Sequence, residues 1–295
     1  MKNFNDIYEV LYKKYNEKME KFRKDILKEK LTTVVIGMIA FAILANIFNN
    51  WAIMFLAPIV IFLKLTFSKK ERLYENSFKG ELINALIKEY DENLNFEPER
   101  GIASAIYRKG EFEGYDVYRS EDLITGKLEG KYKINMAEVR TRDRRTDSDG
   151  DSYYVTLFYG LFAEIELDKT IFAKLKLRKD KLKLFGGGKE RVELDSGEFE
   201  KIYDVYATDK IIAMQLLTAD IMQMFIDFKE NYKIAPEITL EENKLYIRFQ
   251  TGNMFEPISN KKALDYETLL KYYDTINFTL NITKEFIKNI KETEI

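Results

Sequence analysis

Apolar side chains in the first 30 residues recur at the spacing of one face of an α-helix. Phe4, Tyr8, Leu11 and Tyr15 follow one another at intervals of four, three and four positions, and charged residues fill the other faces. This pattern predicts an N-terminal amphipathic helix over residues 1–30. Three roles stay open for it: packing on the protein's own soluble domain, a coiled coil that joins two copies, or binding along a membrane surface.

An apolar run without any charged residue follows from Leu31 to Leu63. A membrane-spanning helix needs about 20 apolar residues, and the whole run as one helix would be about 50 Å long, too long for a single crossing. Asn49 and Asn50, followed by Trp51, interrupt it with residues that favour turns and the membrane interface. The run therefore predicts a transmembrane helical hairpin over residues 31–67. A hairpin buried in a soluble core and a re-entrant hairpin are the alternatives.

Basic residues flank the hairpin on both sides, and its tip carries no charge. Residues 13–30 are rich in Lys and Arg, and Lys69, Lys70 and Arg72 follow the run. Because basic residues mark the cytoplasmic ends of spans, this distribution predicts that both termini are cytoplasmic. The lipid bilayer is thus the first expected partner.

The hydrophobic period changes to two beyond residue 101, after a connecting helix and linker over residues 68–100. The segments with this alternation are residues 115–119, 122–130, 131–141, 152–160, 161–168 and 170–178. Short turns between them predict an antiparallel meander. An apolar helix over residues 210–232 and strands over 236–241 and 244–250 are predicted next.

These elements predict an α+β protein, in which a two-helix transmembrane hairpin precedes a soluble domain with an antiparallel sheet and packed helices. The predicted cytoplasmic α+β domain covers residues 101–260, and a C-terminal helix covers residues 261–295, beginning near Asp265. Apolar residues at alternating spacings of four and three in this last helix suit pairing with another helix.

Composition narrows the chemistry that the chain can perform. The 295 residues include no Cys and no His. Disulfides, thiolate metal sites, cysteine nucleophiles and histidine proton transfer are therefore excluded, and catalysis would need carboxylates, Lys, Tyr, Ser or Thr. The net charge of −2 gives no reason to expect nucleic acid as a partner.

Three short segments suggest a site but have simpler explanations. The DSDGD sequence at 147–151 lacks the spacing of a calcium loop and predicts a solvated hairpin tip, with weak cation binding as the alternative. FGGGKER at 185–191 fails the phosphate-loop pattern and predicts a flexible turn. Glu164, Glu166 and Asp168 alternate along a strand and predict a solvent-facing surface rather than an acid–base pair. We expect no metal site, cofactor site or catalytic residue from these motifs.

Two elements in the second half of the chain combine aromatic residues with a glycine or with carboxylates. The first is TLFYGLF (156–162), with Phe158, Gly160, Leu161 and Phe162. The second is VELDSGEFEKIYDVY (192–206), with Leu194, Glu198, Phe199, Glu200, Tyr203, Val205 and Tyr206. These residues resemble two elements of the DUF3137 family of unknown function. The resemblance implies a bacterial membrane protein and supplies no catalytic or binding residue, and the predicted topology places the chain in the inner membrane. The glycine predicts a tight turn or a close backbone approach, and the aromatic residues predict core packing or an aromatic groove.

The favoured hypothesis is a non-enzymatic anchor, scaffold or sensor that binds a partner protein or small ligand at the membrane. A homo-oligomer or a membrane protein partner would fit the amphipathic helices. The alternative is an enzyme that uses carboxylates on a lipid or cell-envelope substrate, with Glu198, Glu200 and Asp204 as first candidates. An oligomeric channel is less favoured, since the spans contain no charged residue to line a path.

Overall fold

The computed structural model describes residues 2–48, 71–128, 130–179, 191–257 and 262–292. The tip and second arm of the predicted hairpin and the FGGGKER turn fall outside these ranges, apart from Arg191. The described residues form two compact units. The helical unit comprises the described residues within Lys2–Leu86 and Glu256–Leu269, and the sheet unit comprises those within Ile87–Phe255 and Leu270–Ile295.

The helical unit is built on α1, which runs without a break from Phe4 to Phe48 and so continues past the predicted boundary at residue 30. It also contains most of α2 (residues 71–90), whose middle turn, Phe78–Ile83, is π-helical. Phe4, Ile7 and Leu11 are buried within this unit. The Tyr8 hydroxyl donates to the Leu264 carbonyl oxygen at 2.9 Å, which fixes α1 to the chain segment that follows Glu256.

Polar contacts add to the packing of α1 within the helical unit. The Ala263 amide donates to the Glu20 carboxylate at 2.7 Å, and the Lys18 ammonium lies 2.6 Å from the Glu81 carboxylate on α2. The predicted amphipathic helix therefore packs on neighbouring segments of its own chain within the helical unit, and the three roles proposed for it stay predictions.

The sheet unit contains seven described strands, which pair antiparallel throughout. They are β1 (Leu94–Glu97), β2 (Val117–Leu128), β3 (Tyr132–Thr146), β4 (Ser152–Lys179), β5 (Arg191–Val192), β6 (Tyr203–Ala207) and β7 (Glu237–Phe249). Their order is β1-β2-β3-β4-β6-β5, and β7 pairs with β4 outside this path. The predicted α+β class and antiparallel pairing are confirmed, but the two strands predicted over 115–119 and 122–130 are one strand, β2, with a register shift between Glu121 and Ile124.

Strand β4 differs most from the sequence prediction. One 28-residue strand replaces the three strands predicted over 152–160, 161–168 and 170–178. Gly160 stays in the ladder opposite Val139, and a register shift between Glu166 and Ile171 absorbs the polar Asp168. The two strands predicted over 236–241 and 244–250 are likewise one strand, β7, which passes Glu242 with a positive φ of 52°. Bulges, not turns, explain these polar interruptions.

The helices of the sheet unit are α3 (Ser104–Lys109), α4 (Lys210–Leu216), α5 (Ala219–Tyr232) and, apart from its first residues, α6 (Tyr266–Glu292). The single helix predicted over 210–232 is wrong, because the chain bends by 66° between α4 and α5. Thr218 is extended at the start of α5, and the Asn289 side chain donates to the Leu216 carbonyl oxygen at 3.1 Å. The Asn289 side chain thus replaces the backbone N–H that would donate to the Leu216 carbonyl oxygen in an unbent helix.

Within the described ranges, no single helix is long and apolar enough to cross a membrane, whereas the bent pair α4–α5 reaches the required length and composition when taken together.

Candidate functional site

Gly160 lies where strand β4 is paired on both sides, with β3 on one edge and β7 on the other. It faces Val139 on β3, and the adjacent Leu161 faces Phe249 on β7. A Cβ atom at Gly160 would lie 1.9 Å from the Phe249 carbonyl oxygen. The glycine is therefore required by a close backbone approach, one of the two predicted explanations, and not by a turn.

Phe158, Leu161 and Phe162 from the same motif are fully buried. Phe158 and Phe162 pack against the ring of Tyr107 on α3, with centroid distances of 6.0 and 4.9 Å. Phe112 also contacts Phe162, at 6.3 Å. These side chains form an aromatic core in the sheet unit, with no exposed aromatic groove at Phe158 or Phe162.

Arg248 on β7 is buried beside this aromatic core. Its guanidinium lies 4.4 Å from the Phe112 ring centroid and 4.9 Å from that of Phe158. It donates to the Glu237 carboxylate at 2.7 Å, to the Tyr107 hydroxyl at 3.0 Å, and to the Glu113 carboxylate. Burial acts to lower the Arg248 pKa, but the nearby carboxylates outweigh it and the pKa is raised. Arg248 is thus a charged group held entirely by protein partners.

A second arginine, Arg178 on β4, holds the loop after α3 to the sheet. It donates to the Gly110 carbonyl oxygen at 2.9 Å and to the Thr239 hydroxyl at 2.7 Å, and it stacks 4.5 Å from the Phe112 centroid. Burial lowers the Arg178 pKa to about 10. Sequence reasoning missed both arginines, because each lies in an ordinary strand pattern and only the cross-sheet contacts reveal its role.

The second motif belongs to a different aromatic cluster. Phe199 and Tyr203 are buried and contact each other at 4.9 Å, and each contacts Phe225 on α5. The Glu200 carboxylate accepts a hydrogen bond from the Leu194 amide at 2.8 Å, whereas Glu198 is exposed. The structure therefore places the two motifs in separate parts of the core, and their side chains do not converge on one site.

A polar cavity of about 270 Å³ lies between β2, β3 and β4. It is lined by Arg119, Ser120, Glu121, Glu138, Val139, Arg140 and Tyr159, and we call it the charged-pair cavity. Carboxylate oxygens of Glu121, Asp122 and Glu138 lie within 4.8 Å of one another, a spacing that could hold a cation. No sequence pattern predicts this site, because the strand register alone brings RSE (119–121) opposite EVR (138–140).

The helical unit has its own cavity, of about 280 Å³, between α1 and α2. Its lining mixes charges of both signs with apolar side chains: Arg23, Ile26, Leu27, Lys30, Glu71, Tyr74, Glu75, Glu256 and Pro257. Ion pairs link Lys30 to Glu71 and Arg23 to Glu20. Burial raises the pKa of Tyr74 to about 12. Because of these ion pairs, the positive and negative charges in the wall of this cavity largely cancel.

Taken together, the fold and the motif residues define an α+β domain whose shared aromatic and glycine positions serve packing. Residues 156–288 match the model of the family described as "Protein of unknown function (DUF3137)", which confirms the resemblance noted from the sequence. The structure is also similar to the crystal structure of the mycobacterial trehalose monomycolate transport factor A, TtfA. That similarity has 12% identity and a TM-score of 0.37, over 66% of this chain and 86% of that one. No curated protein matches the chain.

Proposed function

We propose that this chain is a two-span protein of the bacterial inner membrane with both termini in the cytoplasm. Residues 31–67 would form the hairpin, as their uncharged composition indicates. The sheet unit would act beside the membrane as a non-enzymatic scaffold or sensor that binds a partner protein or a small ligand.

The observation that carries this proposal is the exposed apolar surface of α1. Leu31, Ile36 and Met38 are 67%, 58% and 60% exposed, and Val34, Val35 and Ile39 are exposed beside them. Earlier in the same helix, Phe4, Ile7, Leu11 and Met19 are buried. A contiguous apolar surface of this kind is unfavourable in water, and a lipid environment removes that cost.

The closed core of the sheet unit supports the non-enzymatic part of the proposal. The motif residues Phe158, Phe162, Phe199 and Tyr203 are buried in packing contacts, and Arg248 is neutralised by carboxylates. The chain also lacks His and Cys, the side chains that most often supply proton transfer and nucleophiles near neutral pH.

Reporter fusions test the topology directly. Alkaline phosphatase, which is active only outside the cytoplasm, is fused after Asn50 in one chain and after Ile295 in another. We expect activity from the first fusion and none from the second, and a cytoplasmic fluorescent reporter should give the reverse. If both positions report the same side of the membrane, the two-span topology is wrong.

The charged-pair cavity favours a second candidate function, an enzyme that uses carboxylates on a lipid or cell-envelope substrate. Glu121 and Glu138 converge there, whereas Asp204, an original candidate, is paired with Arg191 at 3.0 Å. The test is to incubate the purified full chain with envelope lipid extract and to follow products by mass spectrometry. Turnover that Glu121→Gln abolishes would support this function, and unchanged lipid composition would exclude it for that extract.

A further inference from the structure

We propose that two copies of this chain associate through the β3–β4 hairpin, with the acidic tip of each hairpin on a row of arginines of the other. The row, which we call the arginine row, consists of Arg119, Arg140, Arg142 and Arg144. The acidic tip consists of Asp147, Asp149 and Asp151. This inference rests on the scaffold role proposed above, for which it names a second copy as the partner. Both surfaces belong to the sheet unit, so their test is independent of the membrane topology.

The end of the hairpin extends beyond the rest of the described sheet. β2 pairs with β3 as far as Arg142, and β7 pairs with β4 only from Leu161 onwards. Among the described strands, residues 143–146 and 152–155 therefore pair only with each other. Tyr153 and Tyr154 in this part are 47% and 53% exposed. Tyrosine and arginine side chains are enriched at protein interfaces.

The strand register places the arginine row on one face of the hairpin. Arg140, Arg142 and Arg144 alternate along β3, and side chains two residues apart point to the same face of a strand. Arg119 on β2 lies directly opposite Arg140. The Arg140 guanidinium lies 5.0 Å from the centroid of the Tyr159 ring, which holds it in this position. From Arg140 to Arg144, the row is roughly 13 Å long.

The arginine row lacks counter-ions of its own. In the part of the chain that the structure describes, none of its four guanidinium groups forms an ion pair. Arg145, on the other face of β3, instead pairs with Asp143 at 3.3 Å. Like charges directly opposite each other, such as Arg119 and Arg140, destabilise a sheet. An anionic partner would relieve this repulsion.

Carboxylates near the two ends of the row determine where its positive charge is concentrated. At the inner end, oxygens of Glu121, Asp122 and Glu138 lie within 4.8 Å of one another. Asp122 and Glu138 are buried and interact with other groups of the protein, whereas Glu121 is exposed. At the outer end, the Asp116 carboxylate accepts from the backbone amide of Arg144 at 2.7 Å. Since three carboxylates lie at the inner end and one at the outer end, the net positive charge is concentrated in the outer half of the row.

The acidic tip is both ordered and exposed. The Asp147 Oδ1 atom accepts from the backbone amides of Asp149 at 3.1 Å and Asp151 at 2.8 Å. Gly150 takes a positive φ of 90°, which glycine adopts without strain. All three aspartates are exposed, and none of them forms an ion pair with another described residue. The tip therefore presents the charge that the arginine row lacks.

The positions of the row and the tip on one hairpin favour a second copy as the partner. Arg140 and the start of the tip are roughly 20 Å apart along the strand. Two antiparallel hairpins related by a two-fold axis can therefore place each tip on the row of the other copy, so that both contacts form at once. An anionic lipid surface would attract the row but repel the tip of the same hairpin. A second copy complements both.

Charge reversal followed by mixing tests this contact. The association of the full chain is measured by sedimentation equilibrium in a density-matched detergent at low and at high ionic strength. We expect a dimer at low ionic strength that dissociates at high ionic strength, because salt screens exposed charge pairs. Arg142→Glu/Arg144→Glu and Asp149→Lys/Asp151→Lys should each raise the dimer Kd about tenfold or more. An equimolar mixture of the two variants should associate as tightly as the parent, since each supplies the charge that the other has lost.

Lys127→Glu/Lys210→Glu is the matched control, because it makes the same change of charge at two exposed positions outside the hairpin. It should leave the Kd unchanged, and an equal weakening in this control would refute the proposal. A parent chain that stays monomeric at low ionic strength would refute it as well. If the mixture fails to restore association, the row binds an anion other than the tip, such as a lipid headgroup, and the proposal is wrong. A failed topology experiment would leave these results unaffected.

Discussion

Gly160 shows how a single residue of the family motif can be explained by backbone geometry. Its missing Cβ leaves room for the Phe249 carbonyl oxygen, 1.9 Å from where that atom would lie. We expect Gly160→Ala to lower the free energy of unfolding by about 2 kcal/mol or more, because β4 or β7 must move to relieve the clash. Chemical denaturation of the full chain in detergent measures the change.

Gly197→Ala is the matched control for this prediction. Gly197 lies in the second motif, and a Cβ there would meet no atom within 4 Å. Its substitution should change stability by much less than that of Gly160. Equal stability of Gly160→Ala and the parent chain would show that the two strands are not as close as the structure indicates.

Glu111 makes the stability of the sheet unit depend on pH. Its carboxylate accepts from Lys174 at 2.5 Å and lies 2.6 Å from the Lys176 ammonium. The hydrogen bond from Lys174, followed by that from Lys176, lowers its pKa from 4.5 to about 2. Because the folded-state pKa is the lower one, the stabilisation is complete above about pH 4.5 and is lost as the pH falls towards 2.

We therefore expect Glu111→Gln to remove part of the acid sensitivity of unfolding. Urea denaturation of the full chain at pH 7, 4 and 3, chosen to bracket the interval between the two pKa values, measures it. Glu99→Gln, at an exposed position, controls for the loss of one negative charge. The same pH profile in Glu111→Gln and the parent chain would contradict the assignment.

Among the elements, the loop that follows α3 depends most on buried charge. Arg248 reaches Glu113 in this loop from β7, and Arg178 reaches the Gly110 carbonyl oxygen from β4. Arg248→Met would leave Glu113 and Glu237 without their cation in a buried site. We expect a loss of about 3–5 kcal/mol in the free energy of unfolding.

Limited proteolysis gives this prediction an element-specific measurement. If Arg248 holds the loop, Arg248→Met should make residues 110–116 a preferred cleavage site under native conditions. Arg144→Met removes a guanidinium from the exposed part of β3 and should leave cleavage unchanged. A variant of Arg248 that is destabilised but still protected in this loop would show that the arginine serves only the sheet.

The type of most elements could be predicted from the sequence, but not the positions at which neighbouring elements are separate or continuous. Period-two alternation indicated which segments are extended, and the apolar spacing predicted α6 from about Asp265, one residue from its observed start at Tyr266. The sequence predicted breaks in β4 at Gly160 and at the polar pair Asp168 and Lys169, but the strand is continuous at both places. Gly160 stays paired with β3, and a bulge accommodates the polar pair.

The candidate site could not be predicted from the sequence, for a related reason. The charges of Arg119, Glu121, Glu138 and Arg140 are unremarkable in two separate strands. They form opposed like-charge pairs only in the register that the structure shows, and a shift of one residue would send them to different faces. Local patterns determine which face a residue occupies, whereas its cross-strand neighbour depends on the whole sheet.

At the scale of the whole molecule, α1 is a single helix whose first turns are buried in protein contacts and whose later turns expose apolar side chains. Its first turns bury Phe4, Ile7 and Leu11, and its later turns expose Ile36 and Ile39. If the exposed part enters a bilayer, a charge there is unfavourable by about 2.5–3.5 kcal/mol per residue near the middle of the span. The double variant Ile36→Lys/Ile39→Lys should therefore weaken insertion by about 5–7 kcal/mol.

Flotation on a density gradient after alkaline extraction measures this change, because membrane-inserted chains rise with lipid while aggregates sink. We expect the parent chain and the control Ile36→Leu/Ile39→Leu to float, and the double lysine variant to leave the lipid fraction. Both substituted residues are exposed, so the buried contacts of the helical unit are unaffected. Flotation of the lysine variant to the parent's extent would mean that this surface of α1 faces something other than lipid, and the exposed apolar residues would then indicate a protein partner.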